Sequence, residues 1–137
     1  MGGARSVRRL RPVPGKYETM EGEMSSTEQR VPGIDRTDLQ HHDLSIPGRE
    51  VVQNRVDISP EAPAFNHKHP GEEIIYVLEG RLEYRLEGEP PTTLEAGEVF
   101  FVPAGTVHAV MNVGTTNAAE LATYVVEKGK PLIVLAE

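Results

Sequence analysis

His67 and His69 stand one residue apart in the stretch NHKHPGEEIIYVLEG, residues 66–80. Successive side chains of an extended strand alternate faces, so both imidazoles point the same way, from Cα atoms roughly 6.5–7 Å apart. Two neutral imidazoles so placed can reach one ion at roughly 2.0–2.1 Å. Glu73 adds a carboxylate if the chain bends inward at Pro70-Gly71. His108 is a fourth candidate, in GEVFFVPAGTVHAVMN, residues 97–112, beside the turn formers Pro103 and Gly105. Each feature alone has an ordinary explanation. Exposed strands carry His-x-His pairs by chance, Glu73 reads as a solvated charge beside Glu72, and His108 as a satisfied histidine near a turn. Their joint spacing is what points to a metal.

In these residues the chain resembles the cupins, and within them the quercetinase-like dioxygenases. The first cupin motif runs Gly, five residues, His-x-His, three or four residues, Glu, six residues, Gly. His67, His69, Glu73 and Gly80 keep those spacings, with Glu61 where the opening glycine would stand. The second motif runs Gly, five residues, Pro-x-Gly, two residues, His, three residues, Asn, and Gly97, Pro103, Gly105, His108 and Asn112 match it throughout. The resemblance implies an all-β fold, the cupin double-stranded β-helix or jelly-roll barrel. It also implies one divalent transition metal ion per chain on His67, His69, Glu73 and His108. Glu73 either remains a ligand or swings away to serve as a catalytic base. A homodimer, with crossed N-terminal strands, is the expected assembly.

The bulk properties are compatible with this. A chain of 137 residues suffices for one domain with its own core. There is no cysteine, so disulfides and thiolate sites are excluded and a metal must take nitrogen and oxygen ligands. Imidazole-rich ligation suits Fe, Ni, Cu, Zn or Mn alike. The longest apolar runs, IIYVL at 74–78 and LIVLA at 132–136, are far short of the roughly 20 residues of a membrane-spanning helix. The net charge of −7 is uneven. Residues 1–30 carry six basic and four acidic side chains, a balance of +2, and residues 31–137 carry eight and seventeen, a balance of −9. So acidic a body repels phosphate backbones and has no basic stripe with interleaved aromatics, which argues against nucleic acid.

Residues 1–30, rich in Gly, Pro, Ser, Arg and Glu, have the composition of a disordered tail or an upstream-start remnant, with Met20 and Met24 as alternative starts. Arg8-Arg9 resembles a twin-arginine pair, but Pro12-Val13-Pro14-Gly15 follows where an export signal needs an apolar run, so the expected location is cytoplasmic. Residues 31–137 form the expected barrel domain. Segment 31–48 holds turn formers and the pair His41-His42, whose adjacent side chains point to opposite sides and read as surface histidines. Short strands are expected at 50–58, 73–78, 81–86, 92–94, 99–102, 107–113, 119–127 and 132–136, a spacing typical of sandwiches and barrels.

Parity nominates a substrate-binding wall: Phe65 beside His67 and His69, Ile75 and Val77 beside Glu73, Val110 and Asn112 beside His108. Core packing is the ordinary explanation for each apolar member. Three functions fit. An O₂-dependent dioxygenase acting on a small organic molecule comes first. A non-oxidative metal-dependent isomerase, lyase or decarboxylase comes second. A non-catalytic binding or sensor protein comes third, lowered by the intact ligand set and by the absence of a helix-turn-helix pattern.

Overall fold

Alternation of burial along the chain builds the molecule. The computed structural model describes residues 31–136, and the tail expected over 1–30 lies outside the described residues. Among the described residues ten strands follow in order: β1 (Ile34–Asp43), β2 (Arg49–Ile58), β3 (His67–Lys68), β4 (Gly71–Glu79), β5 (Arg81–Leu86), β6 (Thr92–Glu95), β7 (Val99–Val102), β8 (His108–Asn112), β9 (Ala118–Glu127) and β10 (Val134–Leu135). Strand β2 buries every second residue, from Glu50 to Ile58, because successive side chains of a strand alternate faces; Val52, Val56 and Ile58 enter the core, and the polar Glu50 and Asn54 share their side.

The strands form two five-stranded antiparallel sheets, in the orders β1-β2-β9-β4-β7 and β10-β3-β8-β5-β6. The non-sequential order is that of the expected jelly-roll. Ile75 and Val77 of the first sheet and Leu82 and Tyr84 of the second share one core. Each such buried side chain contributes roughly 1.5–3 kcal/mol relative to exposure.

Two glycines fix the strands that carry the site. A Cβ on Gly71 would meet the Val125 carbonyl oxygen at 2.0 Å, so only glycine lets β4 begin flush against β9. Gly80, with φ of 77°, takes the left-handed turn between β4 and β5, with Ala118 packed against it.

Two expectations are corrected. Segment 31–48, read as turn-rich, contains a full strand, β1, which pairs with β2 along its length with one bulge between Asp38 and Gln40. Its sequence IDRTDLQHHD lacks apolar alternation because β1 is a partly exposed edge strand whose partner supplies the order. The run 132–136 is a strand only at Val134–Leu135, while Leu132 and Ile133 are buried in the core.

Candidate metal centre

The two motifs meet where β3 faces β8. His67 and His108 are directly opposed across this pair, with ring centroids 4.2 Å apart. His69 follows at the exit of β3, its ring 4.9 Å from that of His108. The ligand atoms of the three imidazoles all lie within 4.8 Å of one another, and all three residues are buried. Glu73 arrives from the other sheet on β4, and its Oε1 lies 3.2 Å from Nε2 of both His69 and His108. The four groups nominated in the sequence are therefore brought to one place.

Their hydrogen bonds dictate the tautomers. His67 Nδ1 donates to the Phe65 carbonyl at 3.1 Å, His69 Nδ1 to the Leu132 carbonyl at 2.7 Å, and His108 Nδ1 to the Thr106 carbonyl at 2.8 Å. A carbonyl only accepts, so each Nδ1 bears a proton and Nε2 is the ring atom left to face an ion. His69 Nε2 is buried without a hydrogen bond. Beside it, a carboxylate oxygen faces the Nε2 atoms of His69 and His108, acceptor against acceptor unless a proton or a cation lies between them. Orphaned lone pairs, a nearby anion and rings anchored through their other nitrogen are the donor set that a divalent ion needs.

Electrostatics follow this geometry. Burial, then the neighbouring His108 and His69, push His67 down to about 3, so it stays neutral. Burial alone would raise the Glu73 carboxyl, but contact with His108 and His69 outweighs it and holds the group below the ordinary carboxylate range. For His108 burial works downward, and the opposing pull of Glu73 prevails, raising it.

A cavity between the sheets touches this centre, lined on one side by His67, His108, Tyr84, Phe65 and Val110, and on the other by Glu73, Glu120, Tyr124 and Arg36. Its volume is about 20 Å³, room for about one water. The partly exposed Phe65, Val110 and Ile34 supply apolar parts of its lining. Of the residues nominated for the substrate wall, Phe65 and Val110 line the cavity. Ile75 and Val77 are in the core instead, both 0% exposed. Asn112 is a loop clamp: it donates to the carbonyls of Ile58 at 2.8 Å and Thr116 at 2.7 Å, and accepts from the Gly114 amide. His41 is paired with Glu50 at 2.6 Å, His42 is exposed, and neither lines the cavity.

Four polar residues of the wall escaped the sequence reading. Arg36 Nη1 donates to the Tyr124 hydroxyl at 3.3 Å, and the Tyr84 hydroxyl donates to Glu120 Oε2 at 2.5 Å. Glu120 was detectable: it shares the inward parity of Ala118, Ala122 and Tyr124 on β9, where a charge has no ordinary place. Arg36 was not, because β1 itself was not recognised.

A family model described as "Cupin domain" matches residues 54–130. Among curated proteins, dimethylsulfoniopropionate lyase DddQ of Ruegeria pomeroyi is 46% identical over 43 residues, which are 31% of this chain and 21% of that protein. Oxalate oxidase 2 of Hordeum vulgare is 33% identical over 82 residues, 54% of this chain and 37% of that protein. The chain thus spans less than half the length of these relatives. The solved structure of DddQ superposes with a TM-score of 0.55 at 29% identity, over 63% of this chain and 43% of that one. A cupin-like protein of Thermotoga maritima superposes with a TM-score of 0.62 at 20% identity over 75% of each chain, a likeness of fold alone. Among the described residues, no helix is long and apolar enough to cross a membrane.

Proposed function

The chain belongs to the cupin domain family, and from that premise we propose that it is a metal-dependent enzyme acting on a small organic acid by a non-oxidative route, as a lyase, decarboxylase or isomerase. The observation that carries this reading is the convergence of three anchored imidazoles and Glu73 beside a cavity that His67, His108 and Glu73 line together with Arg36, Tyr84 and Glu120. A divalent ion bound by His67, His69, His108 and Glu73 supplies a Lewis acid for a substrate oxygen. Arg36 gives the wall a cation suited to a carboxylate. Tyr84, Tyr124 and Glu120 provide hydroxyl and carboxyl groups able to hold or pass protons. The relatives named for dimethylsulfoniopropionate and oxalate suggest the size of substrate. Fe, Ni, Cu, Zn and Mn all suit the ligand set.

A second reading, the O₂-dependent dioxygenase, rests on the same ligand set, which accepts redox-active metals, and on the likeness to an oxalate oxidase. One experiment separates the two: elemental analysis of the purified protein, then oxygen-electrode and product assays with oxalate and dimethylsulfoniopropionate. Turnover without O₂ uptake, retained with zinc, supports the non-oxidative route. O₂ uptake coupled to substrate loss overturns it.

We further propose a homodimer. Ile74, Tyr76, Val99 and Phe101 are apolar side chains about half or more exposed on the outer face of β4 and β7, a strip suited to a second copy. A cytoplasmic location remains part of the proposal.

A further inference from the structure

We propose that Glu120, backed by Tyr84, is the proton donor of this site, an inference that rests on the reading of the site as a metal-dependent enzyme. Two carboxyl groups line one cavity, and their surroundings differ. Glu73 Oε1 sits 3.2 Å from the Nε2 atoms of both His69 and His108, among the groups that would hold the ion. Glu120 is 3% exposed, shares the cavity lining with the apolar Val56 and Ile58, and is bonded to the Tyr84 hydroxyl at 2.5 Å. That bond crosses the gap between the sheets, from β5 to β9, so it fixes the carboxyl at the cavity wall rather than at the protein surface.

The charged and titratable groups around Glu120 come from five strands, Arg36 on β1, Glu73 on β4, Tyr84 on β5, His108 on β8 and Tyr124 on β9, while β2 faces it with Val56 and Ile58. Burial, then the charge of Glu73, push Glu120 up to about 8, against the opposing effects of Tyr84, Arg36 and His108. Paired carboxyls in unlike environments divide the work of ligand or base and acid. Glu73 is the carboxyl placed among the ligand imidazoles, and Glu120 is the buried one held by Tyr84, free of the ion and so available to deliver a proton.

The step balances without an external oxidant. In a decarboxylation the electrons of the breaking C–C bond stay on the substrate carbon, CO₂ leaves, and the Glu120 O–H bond breaks as its proton forms the new C–H bond. The carboxylate left on Glu120 keeps the hydrogen bond from Tyr84, and solvent returns the proton after product departs. Tyr84 is the positioning residue: its donation stabilises the anion that proton transfer creates.

The test uses the full chain loaded with zinc. At about pH 6 the exposed carboxyls are ionised, so a buried carboxylic acid shows its carbonyl band alone in the infrared. Wild-type protein should show the band, Glu120→Gln should lack it, and Tyr84→Phe should keep it to higher pH than wild type, having lost the bond that favours the anion. Assayed with oxalate, Glu120→Gln should lose about 10²–10⁴-fold in kcat, with KM and zinc content unchanged. Absence of the band in wild type, its survival in Glu120→Gln, or wild-type kcat in Glu120→Gln overturns the proposal. Wild-type protein that binds no zinc overturns the metal-enzyme reading instead, and the infrared band still decides whether Glu120 holds a proton.

Discussion

His67 and His108 oppose each other directly across β3 and β8, so the strand register itself brings the histidines of the two motifs together. Directly opposed residues in an antiparallel pair stand about 4.5–5.5 Å apart at Cβ, close enough for two imidazoles to share one ion. Replacing either residue by Ala should reduce bound metal from near one per chain to a small fraction while the protein stays folded. Metal at a hundredfold excess over its Kd stabilises the wild type by about 2.7 kcal/mol. Both variants should lack that increment in thermal melts with and without EDTA. Metal content equal to wild type in both would refute the assignment.

Asn112 gives the contrasting result. Its side chain joins the carbonyls of Ile58 and Thr116 to the Gly114 amide, holding the loop after β8 against the end of β2. Asn112→Ala strands buried partners and should cost about 1–3 kcal/mol in denaturant unfolding. Because it does not line the cavity, metal content should remain at the wild-type level. Metal loss without loss of stability would return Asn112 to the site.

What the sequence made legible was whatever local spacing dictates. The two motifs marked the four candidate ligands, period-two alternation marked Arg81–Leu86, and a short apolar run after the turn at 96–98 marked Val99–Val102. Long-range facts were hidden. The Leu132 carbonyl that orients His69 lies 63 residues away in sequence, and nothing near either residue announces the other. Strand β1 was hidden because an edge strand takes its order from its neighbour, and with it went Arg36 and the cation it brings to the wall. Parity placed Ile75 and Val77 inward correctly, but an inward side chain fills the core as readily as it lines a cavity, and these two fill the core.

Gly71 offers a test of how the ligand strand is seated. An added methyl would meet backbone atoms of Val125 and Val126, at 2.0 and 2.7 Å, and backbone cannot rotate aside. Gly71→Ala should therefore push the start of β4 away from β9, costing about 1–3 kcal/mol as overpacking does. Glu73 lies two residues on and would move with it, so zinc affinity measured by calorimetry should weaken as well. A variant with unchanged stability and affinity would show that the close approach is not needed.

Metal-free protein should show opposing pH effects from two cavity residues. Folded Glu120 stands at about 8 against an ordinary 4.5, so its contribution to stability is complete below about 4.5 and lost as pH rises through about 8. Folded His67 stands at about 3 against 6.5, so its contribution is present above about 6.5 and lost as pH falls through about 3. Melts in EDTA should show wild-type stability falling toward the alkaline side, and Glu120→Gln falling less over that range. Parallel alkaline slopes in the two proteins would remove Glu120 as the cause.

The apolar strip on the outer sheet tests the assembly. Ile74 lies opposite Phe101 and Tyr76 opposite Val99, so the four side chains form two adjacent cross-strand pairs at the β4–β7 edge. Phe101 is 53% and Val99 66% exposed, an arrangement that leaves large apolar surface in water unless another surface covers it. A two-fold contact uses the same patch on both copies, so one charged substitution enters the interface twice. Phe101→Lys should convert a dimer into a monomer of about half the mass by light scattering, while metal content stays unchanged because the strip lies on the outer face, away from the cavity. Wild-type protein that is already monomeric, or a variant that stays dimeric, would exclude this strip as the interface.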